Sequence, residues 1–373
     1  MSTLALDVQQ VIDRLYLRFQ GNVEEIEEML SVLSPGIPRG VVRDRVAKID
    51  VAKEALAVLL QTPSITQRTP AWYEARMGMI TASDIAQALG AGKFGTQKQL
   101  IWKKCLPSDD DAFASLANCP PIKWGTMYED VAQQIYCQRN RVTMHEFGLL
   151  KHPVIDHIGA SPDGISELGV MLEIKCPYRR QITGEVPVQY LYQIQGQLEV
   201  CGLSECDFLE LKLEESSGVA FYDGIDEILP ERGIVAEFYD KVMAKAIYSY
   251  SGVNWSAADL QAFEAKEKER DATVKFHYWR VHTYSCVRVY RDGEFVQRML
   301  PEVASVWAKI QEYRSDPTRM EEEVGLPPIP RKRPAVEYAF RETQPQDFTA
   351  QSQSHSHSQS RSAAAAGPVY AFR

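Results

Sequence analysis

Apolar residues recur every three or four positions through the first sixty residues. Val11, Ile12, Leu15, Tyr16 and Phe19 share one face, Ile26, Met29, Leu30 and Leu33 a second, and Val42, Val46, Ile49, Leu56 and Leu60 a third. This is the spacing of amphipathic helices, and Ser34-Pro35-Gly36 with Pro38 interrupts it. Residues 1–60 therefore predict a small three-helix module. Residues 61–69, rich in Thr, Ser and Pro, read as a linker.

From Pro70 the texture changes. Ala71 to Met77 predicts a short helix, and Thr81-Ala-Ser-Asp84 opens another, with Thr81 or Ser83 as its cap. Gly125 to Glu129 begins a helix that continues through Ala132, Ile135 and Tyr136. Phe147–Lys151, His157–Ser161 and Val170–Lys175 read as strands, and in the last of these Leu172 and Ile174 face one way while Glu173 and Lys175 face the other. Pro187 starts a helix with Leu191, Ile194, Leu198 and Cys201 on its apolar face, closed by Gly202; Asp207–Leu213 alternates as a further strand. Helix, three strands, helix, strand implies an α/β fold, a mixed sheet flanked by helices. Further on, 231–249 reads as a helix, 276–281 with 286–290 as a late hairpin, and 301–313 as a helix. Beyond Pro317 the pattern dissolves into a Ser/His/Gln run, a composition that buries no core, so 317–373 reads as a largely disordered tail.

Composition narrows the chemistry. The chain has 373 residues, 45% of them hydrophobic, enough for a substantial core. A net charge of −9 argues against a protein that coats nucleic acid by bulk charge, although a metal centre itself needs carboxylates and a local basic groove can still hold a backbone. Seven scattered cysteines without a Cys-x-x-Cys pair fit a reducing compartment. With no apolar run long enough to cross a bilayer and no signal-like start, the expectation is a soluble intracellular protein without a membrane partner.

The chemistry concentrates between Ser161 and Lys175. Pro162 fixes φ and Gly164 permits a sharp turn, so Asp163 is expected at a strand end, facing a cleft near Glu173 and Lys175. A Glu-x-Lys strand alone often serves solubility; the Pro-Asp-Gly turn beside it points to a metal-dependent nuclease centre. Tyr178-Arg179-Arg180 forms a basic, aromatic loop suited to DNA contact, and Arg331-Lys332-Arg333 is a second short basic cluster. Ser83 at a helix start with Arg76 nearby suits an anion, and Gln193 and Gln197 share one helical face.

Taken in order, Trp72-x-x-x-Arg76, Thr81-Ala-Ser-Asp84, Gly125-x-x-x-Glu129, Ser161-Pro-Asp-Gly164, Glu173-Ile-Lys-Cys-Pro177 and Tyr190-x-x-Gln193-x-Gln195 resemble the lambda exonuclease or YqaJ-like viral recombinase family, within the PD-(D/E)xK nucleases. The resemblance covers roughly Pro70 to Leu213 and, more loosely, runs to about Pro317. It implies a restriction-endonuclease-like core over 70–316 and a Mg2+ or Mn2+ site, of one or two ions, at Glu129, Asp163, Glu173 and the Ile174 carbonyl, with Lys175 positioning or deprotonating water. A 5′-phosphate would lie at Arg76, Ser83, Ser161 and Gln193. Gln195 is the alternative register for Gln193, and Asp156 is the nearest candidate for a further aspartate that some members carry.

The resemblance further implies a 5′→3′ exonuclease on double-stranded DNA ends that leaves 3′ single strands for recombination or repair, in a viral member acting in host cytoplasm or nucleus. A single-strand annealing partner and a homotrimer belong to the same expectation. No iron–sulfur cluster is expected, since the cysteine spacing matches no quartet. Two alternatives stay open: an endonuclease on the same fold, and a catalytically silent DNA-binding or assembly module.

Overall fold

The computed structural model describes residues 3–106, 119–223, 231–240 and 245–328. The basic cluster at Arg331–Arg333 and the Ser/His/Gln run lie outside them. Helices α1 (Thr3–Arg18), α2 (Val23–Leu33) and α3 (Arg39–Gln61) match the three expected amphipathic segments. Asn22 caps α2 by accepting from Glu25 N. Their shared core of Ile12, Leu15, Ile26, Leu30, Val46 and Ile49 also takes in Leu168 and Val170 from the region after Pro70. Leu33 and Leu60, placed on apolar faces by their spacing, are exposed because each lies at the end of its helix. Buried Arg45 donates to Asp13 at 2.6 Å and to Glu205 at 2.6 Å, and Arg288 donates to the other Glu205 oxygen, also at 2.6 Å. The helices are thus bolted to the rest of the chain through charge as well as apolar contact.

Helix α4 (Pro70–Met77) is capped by Thr69, which accepts from Trp72 N, with Pro70 in the first turn. Strand β1 (Ile80–Thr81) runs straight into α5 (Ala82–Ala88), where Thr81 is the cap and forms a capping box with Asp84, leaving Ser83 exposed in the first turn. Helix α6 (Gln97–Cys105) follows, then α7 (Pro120–Asn140). Glu129 therefore sits in the middle of a long helix, not near its start: the Pro120-Pro121 pair, better suited than Gly125 to a first turn, opens it.

Next come β2 (Met144–His145), β3 (Leu150–Lys151), β4 (Ile158–Ala160), β5 (Gly164–Ser166), β6 (Met171–Lys175), α8 (Val188–Cys201) and β7 (Glu205–Ser216). A short helix, α9 (Gly218–Tyr222), precedes β8 (Arg232–Asp240) and β9 (Lys245–Tyr250), an antiparallel pair where a helix was expected over 231–249. The helical reading failed because this segment is apolar on both faces. Ile234, Ala236 and Phe238 pack on Phe221, Leu260 and Phe263, while Val235 joins the core on the opposite side. After α10 (Ala257–Arg270) comes β10 (Lys275–Tyr290), one long strand rather than a hairpin, with a bulge between Val281 and Thr283 that breaks its alternation. Helix α11 (Gly293–Ser315) begins at the Asp292 cap, well before Pro301, which is carried on an exposed position inside it. Helix α12 (Pro317–Glu323) extends regular structure past Pro317, with Met320 buried.

Among the described residues the main sheet runs β2-β5-β6-β7-β10-β8-β9, and β1-β4-β3 forms a smaller one. The β6–β7 pair is parallel and α8 is its crossover, the remaining pairs of the main sheet being antiparallel. Alternation along β6 sends Leu172 and Ile174 into the core beneath α7 and sends Met171 to the core beneath α8. Glu173 shares the second face, so the crossover helix lies over a buried carboxylate.

Candidate metal and phosphate site

Asp163 stands just ahead of β5, as the Ser-Pro-Asp-Gly pattern implied, and its Oδ2 accepts from Ile174 N at 2.7 Å. Gly164 has a different role from the turn expected of it. A Cβ there would lie 2.6 Å from Met144 Cγ, so glycine serves close strand packing and not a left-handed turn. Glu173 is fully buried. Its Oε1 accepts from Gln193 Nε2 at 2.7 Å and from Lys175 Nζ, and its Oε2 accepts from Gln197 Nε2 at 2.8 Å. Helix α7 reaches the end of β6, where Cys176 Sγ donates to Tyr128 O, and the next residue, Glu129, accepts from Arg68 Nη2 at 2.8 Å.

Burial raises the Asp163 carboxyl well above its usual range, and the charges of Glu173 and Glu129 raise it further. Burial also raises Glu129, against the pull of Arg68 and Lys175. Lys175 is shifted up: burial would lower it, but the charges of Glu173 and Asp163 outweigh that. As the site stands, Lys175 is a cation and not a base.

Among the described residues no three carboxylate, imidazole or thiol groups are gathered tightly enough to hold a metal ion as they stand. Arg68 and Lys175 hold two of the carboxylates instead. The donor chemistry nevertheless fits a hard divalent cation, since all three acids offer oxygen and Asp163 is destabilised by the other two, a repulsion that a cation would relieve.

Beside this centre, Arg76 Nη2 donates to Ser83 Oγ at 3.0 Å, and its guanidinium lies 4.4 Å from the Trp72 ring centre. Trp72 Nε1 in turn donates to Ser161 Oγ at 3.2 Å. Three of the four expected phosphate contacts are thereby linked through one indole. Gln193, the fourth, is bonded to Glu173 instead. Gln195 belongs to the scaffold, donating to Tyr290 O and accepting from Asp292 N, each at 2.8 Å. Arg179 lies over the Tyr178 ring, and Arg180 donates to Glu210; both line a cavity of about 700 Å³ that also contains Glu129, Lys175 and Tyr190.

Two charged features escaped the sequence. Asp84 is buried against Lys103 at 3.1 Å and Lys104 at 3.0 Å, with Arg76 at 4.0 Å. Arg68 comes from the supposed linker, where Ile65 also bridges to Leu149 and Gln67 donates to Phe147 O at 3.0 Å. No local pattern signals either, because their partners lie 20 and 61 positions away.

Residues 71–204 match the YqaJ-like viral recombinase domain. Over that span the chain is similar to YqaJ-like viral recombinase domains. That span holds Glu129, Asp163, Glu173, Lys175 and the Arg76–Ser83–Ser161 group, and leaves Arg68 just outside. A protein of Acanthamoeba polyphaga mimivirus is 24% identical over 316 residues, covering 71% of this chain and 56% of that relative. A protein of African swine fever virus is 27% identical over 173 residues, covering 38% of this chain and 48% of its own length. The chain thus spans about half the length of these relatives. Among solved structures, an alkaline exonuclease from Laribacter hongkongensis is 21% identical with a TM-score of 0.42, covering 69% of this chain and 100% of that one. A phage-related exonuclease from Haemophilus somnus is 11% identical with a TM-score of 0.35, covering 64% and 96%. No helix among the described residues is long and apolar enough to cross a membrane.

Proposed function

We propose that this protein is a divalent-metal-dependent deoxyribonuclease that degrades double-stranded DNA from 5′ ends, leaving 3′ single strands for recombination or repair of viral DNA. The observation that carries this reading is the buried Asp163 carboxyl, raised by burial and by the charges of Glu173 and Glu129, beside Lys175 inside a YqaJ-like domain. A catalytically silent binding or assembly module has no physical reason to keep such a cluster. The viral relatives support the setting.

In this reading Glu129, Asp163, Glu173 and the Ile174 carbonyl hold Mg2+ or Mn2+. The bound ion would supply positive charge to the scissile phosphate and make a water acidic enough to attack it. The chain's own groups do the rest. Gln193 and Gln197 fix the rotamer of Glu173, and the Ile174 amide fixes Asp163. Lys175 orients the attacking water and offsets charge on the phosphate. Arg76 and Ser83, with Ser161 fixed by Trp72, receive the terminal 5′-phosphate, which sets polarity.

Linear duplexes bearing 5′-phosphate, bearing 5′-hydroxyl, or covalently closed test the proposal. Mg2+-dependent loss of the open 5′-phosphorylated form first is the expected result. Equal loss of the closed form would mark an endonuclease, and no cleavage of any form would mark a binding module. Lys175→Ala should lower cleavage by about a hundred- to a thousandfold while DNA binding persists.

A further inference from the structure

Arg68 lies between α3 and α4 with a backbone φ of 62°, a left-handed conformation that residues with side chains seldom adopt. Both neighbours are tied down: Gln67 donates to Phe147 O, and Thr69 caps α4. The fixed turn aims a guanidinium at the acidic centre, and strained backbone of this kind persists where the surroundings impose it. Nη2 lies 2.8 Å from Glu129 Oε2, in a cleft of about 410 Å³ that Asp163 and Asp130 also line. The two cations of the site differ in freedom. Lys175 is rooted in the sheet with 24% of its side chain exposed, whereas 47% of the Arg68 side chain is exposed.

We propose that Arg68 is a built-in counter-ion for Glu129, occupying the carboxylate that a divalent cation needs, so that the metal site is loaded by exchange and not by simple addition. The inference rests on reading Glu129, Asp163 and Glu173 as the metal ligands. A guanidinium keeps its charge at any pH the protein survives, so it leaves Glu129 only by moving. The ion must displace it, and metal affinity is lowered by the free energy of the Arg68–Glu129 pair. Once displaced, Arg68 remains in the cleft, where its planar set of donors suits an incoming phosphate. The arrangement keeps the carboxylate cluster partly neutralised without an ion, at a cost in affinity.

Mn2+ titration of the chelator-treated, DNA-free full chain by calorimetry tests the exchange without reference to cleavage. Arg68→Gln should tighten Mn2+ binding by roughly 2–5-fold, the worth of a half-exposed ion pair. Arg68→Gly, which also frees the backbone from its left-handed strain, should do the same and guards against a folding defect in the first variant. Arg68→Lys should stay near wild type, and Asp163→Asn should lose binding in every background. Unchanged or weaker affinity in both Arg68→Gln and Arg68→Gly, with Asp163→Asn still deficient, overturns the exchange and leaves the metal reading intact. Mn2+ binding that ignores Asp163→Asn overturns the metal reading, and the inference with it.

Discussion

Gln197 Nε2 donates to Glu173 Oε2 across 2.8 Å, and Gln193, one helical turn earlier on α8, donates to the other oxygen. A crossover helix between two parallel strands has to cross the sheet face, and here it carries two amides onto the one fully buried acid of the centre. Gln193, expected to meet a phosphate, is in this arrangement a support for a carboxylate. Removing such a support typically costs 10–100-fold in metal affinity or activity. Gln197→Ala should therefore weaken Mn2+ binding and cleavage together by about that factor, measured by calorimetry and by single-turnover cleavage. A loss confined to discrimination between 5′-phosphate and 5′-hydroxyl ends would return the glutamines to the phosphate pocket.

Arg76 has the opposite signature. Its guanidinium lies over Trp72 and reaches Ser83, while the indole fixes Ser161, so Arg76 and Trp72 together organise the proposed anion pocket. Charge-assisted hydrogen bonds of this type contribute about 1.5–3 kcal/mol. Arg76→Ala should reduce the preference for 5′-phosphorylated over 5′-hydroxylated duplex by about tenfold or more and leave Mn2+ affinity unchanged. Arg76→Lys should recover part of the preference but lose the planar stack.

Asp84 lies 4.0 Å from Arg76. Burial alone would raise its carboxyl, but the charges of Lys104, Lys103 and Arg76 outweigh it and hold the group far below its usual range. A depressed folded-state pKa contributes stability above the unfolded value, near pH 4, that is lost as pH falls, because the unfolded chain binds the proton first. Asp84→Asn should cost about 3–5 kcal/mol at pH 7, since it strands buried Lys104. The gap between wild type and variant in urea denaturation should narrow below pH 4. A gap of constant size down to pH 2 would show that packing, and not charge, accounts for the loss.

How much of this was readable from the chain differs element by element. Strand β6 was legible because Leu172 and Ile174 alternate with Glu173 and Lys175, and α8 because its apolar residues keep a helical period up to Gly202. The β8–β9 pair was not, because a strand buried on both faces has no alternation to show, and its run of apolar residues suits a helix equally well. The bulge at His282 split one strand into two apparent ones. At the site, the acids announced themselves through Pro162 and the Glu-x-Lys alternation. Arg68 did not: its approach to Glu129 depends on a left-handed backbone that nothing in Gln-Arg-Thr-Pro encodes locally.

Asp163 should make the protein less stable for as long as its cation is absent. Burial and the neighbouring charges of Glu173 and Glu129 raise its folded-state pKa well above the unfolded value. As pH rises from about 4, the unfolded chain releases this proton first, so stability declines until the folded pKa has been passed. Asp163→Asn keeps an oxygen to accept from Ile174 N and removes the charge. With chelator at pH 8 the variant should be about 1–2 kcal/mol more stable than wild type, and the difference should vanish toward pH 4. Adding Mg2+ or Mn2+ should raise the wild-type Tm and leave the variant unmoved, since only the wild type binds the ion in its folded state. A variant less stable than wild type in chelator would mean that the carboxylate is satisfied by its protein neighbours, and that the electrostatic case for a metal at this centre is wrong.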